Sequence, residues 1–107
     1  MRAVYEKGFN ATLFDSIDKA LTLSLGGPTV STLYYAVQAT RNLPKEQFQR
    51  RPLDVLEGLK AILGEEGFRF LEEQIVNRIT ETFQVPREGP VDLAQAVEFA
   101  KYSFLQC

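Results

Sequence analysis

Histidine and tryptophan are both missing from this chain, and cysteine occurs once, as Cys107. The missing histidine removes the commonest general base and the commonest metal ligand. With one thiol and no imidazole, a zinc site of nitrogen and sulfur ligands cannot be assembled from this sequence. Hydrolytic triads built on histidine are excluded on the same ground. A single cysteine cannot close an intramolecular disulfide, so nothing in the sequence asks for an oxidising compartment. Its position also does not match a prenylation box, which needs the cysteine four residues from the end.

Long apolar runs are missing too. None of the sequence approaches the ~18–20 apolar residues of a membrane span. The opening MRAVYEKGFN lacks the apolar core of a signal peptide. The expected location is therefore the cytoplasm. Neither sign of charge dominates: 12 Lys and Arg stand against 14 Asp and Glu, a net charge of -2. No global field draws the chain to nucleic acid or to an anionic membrane.

What is present is ordinary globular material: 107 residues, 45% hydrophobic and 24% charged. That length suits one domain with one core, and residues 1–107 are read as a single helical domain. The prolines punctuate it. Pro28, Pro44, Pro52 and Pro90 each open a stretch of helical pattern, the position where a missing N–H does no harm. Glu46, Asp54 and Asp92 follow three of them by two residues, where acids favour a helix N-terminus. Pro86 instead stops a helix.

The periodicity predicts an all-α bundle of about five helices. The first spans 11–25, capped by Asn10, with Leu13, Phe14, Ile17, Ala20, Leu21 and Leu25 inward and Gly26 as its stop. The second spans 28–39 and buries Val30, Leu33, Tyr34 and Val37. Tyr34 and Tyr35 cannot share a face, so one is core and the other surface. A short turn over 44–49 is pinned by Phe48. The third helix, 52–63, directs Leu53, Leu56, Leu59, Ile62 and Leu63 inward and ends at Gly64. The fourth, 65–84, carries the cleanest stripe: Phe68, Leu71, Ile75, Ile79 and Phe83. The last spans 90–105, with Leu93, Val97, Ala100 and Phe104 on its core face. Residues 1–9 are read as an N-terminal arm in preference to a lone strand, which would have no partner.

Few motifs carry chemistry. The turn LGEEG between the third and fourth helices suits an αα-hairpin or a helix-turn-helix. The fourth helix, however, carries more carboxylates than cations, which opposes phosphate binding. Gly26-Gly27-Pro28 lacks the lysine and strand of a phosphate loop. Asp15 and Asp18 share a helix face, the minimum for a metal or acid–base pair, but a solvated face explains them as well. Gly58 inside a helix costs about 1 kcal/mol relative to alanine and suggests a close helix–helix approach. The basic cluster Arg41, Lys45, Arg50 and Arg51 faces an acidic stretch, Asp54 to Glu81. It is a candidate anion or partner docking segment, set against the simpler reading of a solvated loop. On the last helix, Val91, Phe99 and Tyr102 lie away from the core stripe at about 100° per residue. Apolar residues there suggest a second buried surface, predicted to be a homodimer contact.

The segments LFDSIDKALTLSLGGPTVSTLYYAV and PLDVLEGLKAILGEEGFRFLEEQIVNRI add a resemblance. A helix ending in Leu-Gly precedes a second helix. A Pro-opened helix ends in Ile-Leu-Gly. An acidic GEEG turn leads into Leu-Glu-Glu-Gln-Ile-Val. Over roughly residues 13–80 the chain resembles a family of small archaeal helical domains, sometimes labelled Nitrosopumilus output domains. The resemblance implies a helical module in a signalling or regulatory setting and carries over no catalytic residue. The expectation is a non-enzymatic regulatory or protein-interaction module, without cofactor or metal, that meets a protein partner. The alternative is a nucleic-acid-binding regulator using the Arg41–Arg51 segment.

Overall fold

The computed structural model describes residues 2–85 and 92–106, with side chains over 8–85 and 92–105. Every regular element in them is helical. The order is α1 (Arg2–Leu25), α2 (Gly27–Arg41), a 3₁₀ turn (Lys45–Gln47), α3 (Pro52–Phe83) and α4 (Leu93–Gln106). α3 is the central element. α1, α2 and α4 all pack on it, and α1 also touches α2 and α4.

The all-α expectation holds, with four α-helices among the described residues rather than about five. Two expected helices form the single element α3, broken at Gly64 (φ 79°, ψ 169°). That backbone conformation is open essentially to glycine alone, so the chain changes direction there with almost no gap between helices. Both the stop at Gly64 and the restart of helix at residue 65 agree with the expected bounds; what differs is that the two segments run on as one element.

α1 begins at Arg2 rather than at Ala11, which corrects both the N-terminal arm and the Asn10 cap. The cause is tertiary. Phe9 is buried, with its ring 5.3 Å from Phe83 and 5.6 Å from Phe104. Such aromatic contacts contribute beyond area burial, and they draw the residues around Phe9 into helix. Asn10 serves a different purpose from the one expected. Its Nδ2 donates to the Arg50 carbonyl at 3.1 Å, tying α1 to the loop before α3.

The other boundaries follow local rules. Gly26 (φ 88°) separates α1 from α2, and its N–H donates to the Thr22 carbonyl at 2.9 Å. α2 and α3 end alike. Asn42 (φ 51°) and Gln84 (φ 55°) adopt the left-handed conformation, and each next residue donates back to a helix carbonyl: Leu43 to Gln38, Val85 to Thr80. Leu43 and Val85 are themselves buried, the apolar contact that accompanies this kind of helix end. α4 is capped twice. Asp92 Oδ1 accepts from the Gln95 N–H at 2.9 Å, and Glu72 Oε2 of α3 accepts from the Leu93 N–H at 3.3 Å. Pro28 and Pro52 sit in the first turns of α2 and α3, and Pro44 precedes the 3₁₀ turn. Pro86 and Pro90 lie outside the described residues.

The core contains most of the expected stripes. Phe68, Leu71, Ile75, Ile79 and Phe83 are all buried, as are Leu13, Ile17, Ala20 and Leu21 of α1. Tyr34 is core and Tyr35 is 73% exposed, which settles the tyrosine pair. The correction falls on segment 52–63. Val55, Leu56, Gly58 and Leu59 face inward, while Leu53 and Ile62 are exposed. Asp54, Glu57 and Lys60, spaced by three, mark an outer face, and Leu53 lies on it between Glu57 and Lys60 at about 100° per residue.

Candidate functional site

Three surface features follow from this architecture: the basic segment, a cavity beside Tyr34, and the outer face of α4 with the groove next to it.

The basic segment divides in space. Arg41 and Arg51 border one small depression together with Leu43, Asp54 and Glu57. Arg51 Nε donates to Asp54 Oδ2 at 2.6 Å, so this guanidinium already has an anion. Lys45 belongs to a different cavity, described below. Arg50 is exposed, and its carbonyl accepts from Asn10. The four cations therefore do not converge on one anion-sized site. Phe48 underlies the segment as expected. It is fully buried, with its ring 5.3 Å from Tyr34 and 5.9 Å from Phe14.

The cavity lies between α1, α2 and the 3₁₀ turn. It has a volume of about 460 Å³ and opens to solvent. Phe14, Tyr34 and Phe48 supply aromatic wall, and Asp18, Ser31 and Lys45 are among its polar groups. Tyr34 Oη donates to Asp18 Oδ1 at 2.8 Å. Burial first, then this hydrogen bond and the nearby carboxylate charge, hold the Tyr34 phenol well above its ordinary pKa. It is a neutral donor throughout the physiological range. The i,i+3 pair noted in the sequence is thus split in role: Asp18 is half-buried and engaged, and Asp15 is exposed. The sequence signal that would have found this cavity is weak. Asp18 and Tyr34 are 16 residues apart and meet only because α1 and α2 pack side by side.

On α4, Leu93, Ala96 and Ala100 are buried, and Val97 and Phe104 pack against the core from its edge. Ala96 was missing from the expected stripe. Its small side chain marks where α4 approaches the core. Phe99 and Tyr102 lie on the opposite side, 42% and 67% exposed, as the helical spacing predicts. Val91 lies outside the described residues. Ala94, Gln95, Glu98, Phe99 and Tyr102 border one shallow depression. Ala94 and Glu98 also border a groove of about 390 Å³ between α3 and α4. Its apolar residues include the exposed Leu53 together with Leu56, Phe68 and Val97. Ala94 and Glu98 thus join the α4 depression to this groove, which also carries Glu57, Lys60 and Glu72.

No described helix is long and apolar enough to cross a membrane. Comparison of the chain with family models, curated proteins and solved structures finds no match.

Proposed function

We propose that this chain is a non-enzymatic protein-interaction module that docks through the outer face of α4, and that its first partner is a second copy of itself. The observation that carries the reading is the exposure of Phe99 and Tyr102 beside an apolar groove that reaches Leu53. Exposed aromatic and apolar side chains set among charged ones commonly mark an interface.

The pattern along α4 supports a second copy as the occupant. Glu98 and Lys101 are both exposed, three residues apart and opposite in charge. An antiparallel two-fold passing between them sets each Glu98 beside the partner's Lys101. The same register sets the small Ala94 against the partner's Leu105. A two-fold contact must be self-complementary, and this face meets that condition in charge and in size. A signalling or regulatory setting, implied by the resemblance to small archaeal helical domains, belongs to the same proposal. The pairing of Arg51 with Asp54 counts against the nucleic-acid alternative, which needs its cations free for phosphate.

Light scattering across micromolar concentrations tests the reading. A dimeric mass is expected, and Phe99→Glu with Tyr102→Glu should give folded monomers. Lys101→Glu alone should weaken the dimer, and adding Glu98→Lys should restore it. A strictly monomeric mass for the unaltered protein up to about 100 μM would eliminate the second copy as partner, since a contact of about 5.5 kcal/mol would already be well populated there.

A further inference from the structure

The cavity between α1, α2 and the 3₁₀ turn is formed by different elements from the α4 surface, and its chemistry points elsewhere. Its volume of about 460 Å³ lies within the usual range for small-molecule sites. Three aromatic rings line it, and they contact one another. Phe14 lies 5.8 Å from Tyr34 and 5.9 Å from Phe48, and Tyr34 lies 5.3 Å from Phe48. These rings are held by core packing: Tyr34 and Phe48 are buried, and the partly buried Phe14 packs against the core. The wall is therefore in place before any ligand arrives.

Its ionic character follows from position. Asp18 is half-buried, whereas Lys45 and Glu46 of the 3₁₀ turn are exposed. Among the described residues that line the cavity, the one half-buried charge is thus a carboxylate. A partly desolvated carboxylate gains from a cationic partner. Among the described residues, the ion pairs are Arg51–Asp54 and Arg78–Glu81, and neither involves Asp18. Its partner is the neutral Tyr34 hydroxyl, which donates to Oδ1 and so fixes the carboxylate's orientation. Glu46 adds a second negative group beside Lys45, and aromatic faces attract cations further.

We infer that this cavity is a binding site for a small organic ammonium ion with an apolar or aromatic body. The ammonium pairs with Asp18, and the body lies against Phe14, Tyr34 and Phe48. Ser31 and Thr22, at the open side, offer hydroxyls to a polar substituent.

Phenethylamine is a suitable probe, followed by NMR shift titration of the full chain. Saturable binding is expected with a dissociation constant of about 1 mM or tighter, the affinity a fragment of this size can reach. Its neutral analogue 2-phenylethanol and its acidic analogue 3-phenylpropanoate should bind at least about tenfold more weakly, as loss of a charge-assisted hydrogen bond predicts. Asp18→Asn should weaken the amine by a similar factor. If that variant does not fold, Ser31→Phe fills the cavity from an exposed position of α2 without altering the Asp18–Tyr34 bond, and it should abolish binding. No saturable binding, unchanged affinity in either folded variant, or preference for the acidic analogue would each overturn the assignment.

Discussion

Gly58 of α3 lies directly against Val37 of α2. A Cβ built on Gly58 would stand 3.0 Å from Val37 Cγ1, 3.2 Å from Cγ2 and 3.3 Å from Arg41 Cγ. Val37 is fully buried and has one strongly preferred rotamer in a helix, so it cannot turn aside. The glycine is the price of the close α2–α3 approach. Gly58→Ala gains about 1 kcal/mol of helix propensity but overpacks a fixed neighbour, at about 1–3 kcal/mol. We expect a net destabilisation of about 1 kcal/mol, read as a lower urea midpoint with an unchanged slope. A stabilised variant would show that α2 and α3 separate freely.

Gly64 presents the opposite case. No heavy atom lies within 4 Å of its hypothetical Cβ, yet its φ is +79°. Replacement therefore strains the backbone and not the packing. Gly64→Ala should cost about 1–3 kcal/mol. The remedy distinguishes the two glycines. Val37→Ala should relieve Gly58→Ala in a double-mutant cycle and leave the cost of Gly64→Ala unchanged.

Tyr34 gives the protein an alkaline limit. Its phenol is held above the ordinary value of 10.0 in the folded state, by burial first and by Asp18 second. Above pH 10 the unfolded chain releases this proton and the folded chain retains it. The unfolded state then binds fewer protons, so stability falls as pH rises. The limiting slope is about 1.4 kcal/mol per pH unit for one such group. Tyr34→Phe should be less stable at pH 8, by about 1 kcal/mol for the lost hydrogen bond. The gap to the unaltered protein should close above pH 10. Parallel curves for the two proteins from pH 8 to 11 would contradict this account of Tyr34.

The basic segment should contribute little to folding. The Arg51–Asp54 pair is well exposed, with side-chain exposures of 55% and 41%, and exposed pairs contribute little. Replacing Arg50 and Arg51 with alanine should keep stability within about 0.5 kcal/mol. Asn10 bonds to the Arg50 backbone, so that tie survives the change. Unfolding of the double variant would make these arginines structural and exclude them as a docking segment. If they do meet an anionic partner, its affinity should fall in the double variant, and more so at low salt.

The sequence by itself determined the helical class and its punctuation. A stripe such as Phe68, Leu71, Ile75, Ile79 and Phe83 repeats at the helical period, so its burial needs no knowledge of the neighbours. Gly64 and the prolines mark boundaries because their backbone constraints are local. The exposure of Phe99 and Tyr102 was legible for the same reason: a core stripe on one side of a helix fixes the other. Tertiary structure decided what periodicity left open. Phe9 extends α1 because Phe83 and Phe104 wait for its ring, from residues far along the chain. Leu53 shares the side of Glu57 and Lys60 and is outside with them, whereas Ile62 is outside although its helical position lies near Val55 and Gly58, the side that meets Val37. Asp18 and Tyr34, 16 residues apart, become one hydrogen-bonded wall of a cavity only when α1 and α2 pack together. Arg41, Lys45, Arg50 and Arg51 are neighbours along the chain, and yet Arg41 and Arg51 border one depression, Lys45 borders another and Arg50 borders neither. Local stereochemistry sets where helices start, stop and turn their apolar side. The distances that make a site are set between helices, by packing that no single stretch of sequence contains.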